Sequence, residues 1–138
     1  MAKLTEQDIQ NWNGAEDDYM NAEHLEFFQD MLIKLQNELI AKASVTTNNM
    51  QDNEHAPDPA DRASQEEEYA LELRTRDRER KLLAKIQESL RDIEEGDYGY
   101  CRDTGEPIGL KRLLARPTAT LSVEAQERRE RIKKQYAD

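Results

Sequence analysis

The stretch NEHAPDPADRA, residues 53–63, decides how this chain folds. Pro57 and Pro59 stand two positions apart. No helix arriving from the N-terminal side continues through them, because proline lacks the amide donor and its ring collides with the preceding turn. Before this stretch lie Leu25, Phe28, Leu32, Leu35, Leu39, Ala43, Thr46 and Met50, three or four residues apart. That spacing gathers them on one helical face and nearly reproduces a heptad seam. After it, Ala63, Tyr69, Ala70, Leu73, Leu82, Leu83, Ile86, Leu90 and Ile93 mark a second helix, closed by Gly96 and Gly99. Pro59 or Asp61 opens this returning helix, where a missing amide costs nothing and a carboxylate meets the positive end of the dipole. Two long helices around a proline turn predict an antiparallel coiled-coil hairpin. Positions 74 to 81 are all polar, so arginine stems are expected to cover that part of the seam.

Working outward, Gly96, Gly99, Gly105, Pro107 and Gly109 crowd a short loop region, and Leu110, Leu113 and Leu114 offer it a small core. Ser122 is placed to cap a terminal helix over residues 123–136. At the other end, Thr5 followed by Asp8 reads as the cap of a short helix in a loosely packed lead. The expected fold is mainly all-α. A polar helical segment (1–20) precedes a hairpin (21–95, tip at 56–63) and a small head with a terminal helix (96–138).

The composition agrees with long, wet helices. Of 138 residues 36% are charged and 36% hydrophobic, with only five Gly and four Pro. The net charge of −10 is uneven: residues 1–60 carry twelve acids and three bases, residues 96–138 seven acids and nine bases. Phosphates repel so acidic a chain, so direct DNA binding is not expected, and work on nucleic acid would pass through a protein partner. One cysteine, Cys101, excludes an intramolecular disulfide. No apolar run has the length of a signal core or a membrane span, so a cytoplasmic protein with no membrane partner is expected. Catalysis by Asp58 and Asp61 as metal ligands would need more ligands and a pocket, and neither is visible, so no enzyme activity is expected.

The segments DPADRASQEEEYALELRTRDRERKLLAKI (residues 58–86) and DYGYCRDTGEPIGLKRLLARPTATLSVEA (residues 97–125) resemble the DksA/TraR family. The resemblance covers roughly residues 22–138. It implies a regulator whose coiled coil enters the secondary channel of RNA polymerase and brings an acidic tip near the active site. The regulator then alters promoter-complex stability, for example at ribosomal RNA promoters, together with ppGpp. The tip motif Asp-x-x-Asp-x-Ala falls on Asp58, Asp61 and Ala63. Two carboxylates beside prolines make a stiff anionic point, although ordinary turn and N-cap roles would use the same residues. By resemblance, Arg74, Arg78 and Lys85 face the polymerase. The competing view is a solvated face paired with Glu72 and Glu79. A secondary-channel factor of the Gre type, acting on stalled elongation complexes, is the alternative function, and a monomer is expected.

Typical members of that family carry two C-x2-C pairs that hold structural zinc. Those positions are Cys101, Thr104, Ser122 and Ala125 here. Hydroxyls are poor zinc ligands and alanine is none, while His24 and His55 lie outside the head. No zinc is expected, and the chain resembles the zinc-independent paralogues of the family. The ppGpp site implied by the resemblance maps to Leu82, Lys85 and Arg116. One further lysine of that site is Gln126 here, with Arg128 or Arg129 at hand to supply the missing charge.

Overall fold

The computed structural model describes residues 4–14, 16–52 and 59–136, with the backbone alone at residue 16 and residues 45–52. Among the described residues five α-helices follow in order: α1 (Glu6–Gln10), α2 (Ala22–Asp52), α3 (Pro59–Glu95), α4 (Leu110–Ala115) and α5 (Val123–Gln135). Among the described residues there is no strand, and a single antiparallel bridge joins Tyr100 to Pro107. The chain divides into two compact units. One is Ile33–Gln87, and the other holds the residues before Ile33 together with those from Glu88 on.

Within Ile33–Gln87, segments of α2 and α3 gather in one unit, joined by six undescribed residues (53–58), so the two helices form the expected hairpin. Along α2 the seam follows its spacing: Phe28 and Leu32 are fully buried, while Leu25, Leu35, Leu39 and Ala43 are half-buried. The side chains of Thr46 and Met50 lie outside the described residues, as do Pro57 and Asp58. Pro59 is the first residue of α3, and Asp61 lies in its first turn.

The returning helix departs from expectation. Tyr69, Leu71, Leu73 and Leu82 stand 40–58% exposed, and Arg74, Arg76, Arg78 and Arg80 are exposed as well. The sheltered positions are instead Gln65, Glu72, Glu79 and Ile86, seven residues apart, with Leu83, Leu90 and Ile93 beside them. The heptad through Ile86 fixes this face, and read backwards it lands on glutamates. One carboxyl oxygen of each of Glu72 and Glu79 is sheltered without a hydrogen-bond partner. Glutamate stems, not arginine stems, therefore fill the middle of the seam.

The other unit has its own core. The C-terminus of α3 closes on Gly96 (φ +82°), with the Asp97 and Tyr98 amides donating to the Asp92 carbonyl at 2.8 and 3.2 Å. Tyr98, Ile108, Leu110, Leu113, Ala119 and Leu121 are buried, and the Tyr98 ring lies 5.7 Å from that of Phe28. The Tyr98 hydroxyl donates to the Pro117 carbonyl at 2.8 Å. Leu110 and Leu113 carry the core as their spacing suggested.

The lead is not loose. Thr5 and Asp8 form the expected capping box, and α1 rests on α4 through Ile9, which is 1% exposed. Tyr19 and Met20 are buried too, and His24 is buried with its Nδ1 unpartnered, edge-on to Trp12 at 5.2 Å. Burial holds this imidazole below its ordinary pKa, against the pull of Glu23 and Asp18. The polar sequence hid a packed segment, because one isoleucine and one tyrosine give no periodic signal.

Candidate functional site

The four positions that a zinc finger would use fall in one unit. Cys101, Ser122 and Ala125 are buried, and Thr104 is exposed. Ser122 acts as N-cap of α5, its Oγ accepting from the Ala125 amide at 3.2 Å. Thr104 Oγ1 accepts from the Glu106 amide at 3.2 Å. The loop between them is closed by backbone bonds, with the Cys101 amide donating to Glu106 O and the Gly105 amide to Cys101 O, both at 2.8 Å. The Arg102 amide donates to Thr120 O at 2.9 Å, and Arg112 Nε donates to Leu121 O at 3.0 Å. Side-chain pairs tie the same loop down. Arg102 engages Glu88 and Asp92, and Arg129 grips Asp103 with two donors, Nε at 2.8 Å.

This donor set does not fit zinc. One thiol is present, Ser122 Oγ already serves the α5 cap, and Ala125 has no donor. Among the described residues no group of three or more His, Cys, Asp or Glu side chains converges as a metal site would require.

Cys101 keeps one feature of a metal thiolate. Burial raises its pKa, but hydrogen bonds from the Thr104 hydroxyl and from the Ser122, Thr104 and Asp103 amides outweigh burial and lower it from 9.0 to about 6. The thiolate form is stabilised by these hydrogen-bond donors. Because the folded value is the depressed one, the stabilisation is complete above about pH 9 and lost as the pH falls through about 6. The unfolding midpoint of this unit is therefore expected to rise between pH 6 and 9, worth up to about 4 kcal/mol for a shift of this size. Denaturant titrations at several pH values check this, and Cys101→Ala should flatten the slope.

On α3, Asp61 and Ala63 are exposed, and no ion pair engages Asp61 among the described residues. Asp58, its expected companion, lies outside the described residues. Arg74, Arg78 and Lys85 are exposed on the same helix, while the neighbouring Arg80 pairs with Asp77 at 2.9 Å. Leu82, 40% exposed, and Lys85 lie three residues apart and share one side of α3. Arg116 is the exposed C-cap of α4, in the other unit. Gln126 donates to Glu130 at 3.2 Å, and Arg129 is committed to Asp103. Arg128, exposed on the same helix, also faces the Asp103 carboxylate electrostatically.

Two contributors had no signature in the sequence. The Tyr19 hydroxyl donates to the Gly99 carbonyl at 2.7 Å and accepts from the Gly109 amide at 2.9 Å. The Arg129–Asp103 pair spans 26 residues. Both depend on tertiary approach, which no local spacing reports.

Comparison with known proteins bears on the whole chain. The N-terminal domain of the DnaK suppressor protein DksA matches residues 24–93, and the prokaryotic dksA/traR C4-type zinc finger matches residues 96–131. The RNA polymerase-binding transcription factor DksA of Caulobacter vibrioides is 51% identical over 130 residues, 93% of this chain and 92% of that protein. Its counterpart in Escherichia coli K12 is 46% identical over 122 residues, 88% of this chain and 81% of that protein. The solved structure of transcription factor DksA2 from Pseudomonas aeruginosa superposes with a TM-score of 0.79 at 46% identity, covering 87% of this chain and 93% of that one. With a helical hairpin, a zinc-finger-like head and relatives alike over nearly their full lengths, this chain belongs to the DksA family of RNA polymerase-binding transcription factors.

Proposed function

We infer that this regulator enters the secondary channel of RNA polymerase hairpin first, carries Asp61 and Asp58 toward the active-site region, and shifts promoter-complex stability together with ppGpp. The carrying observation is Asp61: a carboxylate in the first turn of α3, exposed and unpaired among the described residues. A helix N-terminus carries partial positive charge, so a carboxylate there is held in place without being neutralised. It stays available to compete for cations or basic side chains in a partner. Arg74, Arg78 and Lys85 supply exposed positive charge for the channel wall, and Leu82, Lys85 and Arg116 contribute to ppGpp binding at the interface. The protein acts as a cytoplasmic monomer, performs no catalysis and touches no DNA directly.

The head works without zinc. A buried thiolate held by four donors, together with the Ser122 cap and the Arg129–Asp103 pair, does the joining that metal would do.

In vitro transcription from a ribosomal RNA promoter, with and without ppGpp, tests this reading. Repression that ppGpp deepens is the expected result. Cleavage of transcripts in stalled complexes, with no effect at the promoter, would select a Gre-type role instead.

A further inference from the structure

A knuckle loop that has lost its metal needs another constraint on its two ends. Residues 99–109 leave and re-enter the core within one short excursion, and their own backbone supplies three bonds across it: Ile108 N to Gly99 O, Cys101 N to Glu106 O and Gly105 N to Cys101 O, each 2.8 Å. All three come from within the loop and break together if it lifts. Tyr19 is different. Its hydroxyl reaches the loop from 80 residues away, donating to Gly99 O and accepting from Gly109 N, so one phenol spans both ends of the excursion.

The surroundings fix that phenol in place. Tyr19 packs edge-on to Tyr100 with ring centres 5.6 Å apart, and Trp12 lies 6.3 Å from it on the chain leading in. Met20 covers Gly99 so closely that a Cβ there would fall 2.7 Å from Met20 Cγ. Met20 itself takes φ +56°, an unfavourable conformation for a side-chain-bearing residue, and this turn directs the chain into α2. At the far end of the segment, Ile9 anchors α1 on α4. Residues 4–14 and 16–20 are therefore attached at both ends, with the Tyr19 hydroxyl at the loop.

We propose that residues 4–14 and 16–20 are a clasp that, beside the Arg102 and Arg129 ties, supplies a further constraint on the 99–109 loop, with the Tyr19 hydroxyl as its bolt. The clasp controls access to Cys101, which is 3% exposed and reacts only when the loop opens. This inference rests on the zinc-free reading of the head, and the two are tested by separate measurements.

The test compares wild type with Tyr19→Phe, which keeps the ring and removes both hydrogen bonds. Helix content is followed by circular dichroism and Cys101 opening by its labelling rate with an aromatic disulfide reagent. Losing two bonds to backbone groups that then stay buried raises opening by roughly tenfold to a hundredfold, with the helical signal unchanged. Ile9→Ala, which loosens the other end, accelerates labelling in the same direction. An unchanged labelling rate in Tyr19→Phe overturns the clasp. Should that variant lose its helical signal, wild type decides the matter. Under mild denaturant, Trp12 fluorescence, unique to this segment, and hydrogen exchange at the Cys101 and Gly109 amides must change together, before α2 and α3 melt. Loop amides that open while Trp12 stays put overturn the proposal. Zinc content of the purified protein, measured independently, reports on the zinc-free reading alone.

Discussion

Asp61→Asn is expected to abolish promoter regulation while leaving polymerase affinity within about twofold. The substitution keeps shape and removes one negative charge from the first turn of α3, where Asp61 is exposed and unpaired among the described residues. Any cost to the helix is small, since an exposed charge–dipole interaction is worth about 0.3–1 kcal/mol. In the proposed reading, binding rests on the exposed basic residues Arg74, Arg78 and Lys85 further along α3, so affinity and effect should separate. The extent of repression at saturating protein should fall at least about tenfold, while competition for polymerase binding barely moves. Asp61→Glu should recover part of the effect, because charge returns at altered reach. If affinity falls in step with activity, the carboxylate is a binding group and not an effector.

Turning the head back into a metal site should produce the largest change in stability. Thr104→Cys, Ser122→Cys and Ala125→Cys together add three thiols to Cys101 at positions already gathered in one unit. Zinc bound to four thiolates stabilises small domains by an apparent amount on the order of 10 kcal/mol near neutral pH. The triple variant should take up one zinc per chain, unfold at markedly higher denaturant concentration when loaded, and fall below wild type when a chelator removes the metal. Without metal it loses the Ser122 cap of α5, worth about 1 kcal/mol, and crowds a sulfur into the space of buried Ala125. Wild type should not respond to the chelator. Metal analysis and denaturant titration of both proteins check this pair of outcomes, and a wild type destabilised by chelation would refute the zinc-free reading.

How much of this was legible in the sequence depends on whether the signal was local. Pro59, the α2 spacing, the Thr5–Asp8 box and the Ser122 cap each involve residues a few positions apart, and all four appear as read. The α3 seam did not. Counting apolar residues placed Tyr69, Leu73 and Leu82 inward, whereas the heptad through Ile86 puts Glu72 and Glu79 there and leaves those three exposed. Polarity misleads where a helix must keep apolar side chains outward and fill its seam with long carboxylate stems. The lead was underrated for a related reason, since Ile9 and Tyr19 act through contacts about 80 or more residues away in sequence. At the head, the departure of Thr104, Ser122 and Ala125 from the four-cysteine pattern was plain. The bonds that hold the loop were not, because hydrogen bonds to a thiol and a phenol between two loop ends have no spacing rule.

The central claim is that α3 delivers its first turn to the polymerase active-site region. A photoreactive amino acid placed at Ala63, exposed two residues from Asp61, measures this directly when the protein is bound to RNA polymerase and irradiated. Crosslinks to polymerase peptides around the catalytic metal, competed away by unlabelled wild type, are the predicted result. Crosslinks confined to the outer surface of the enzyme, or none above a probe placed at exposed Glu127 on α5, would contradict it.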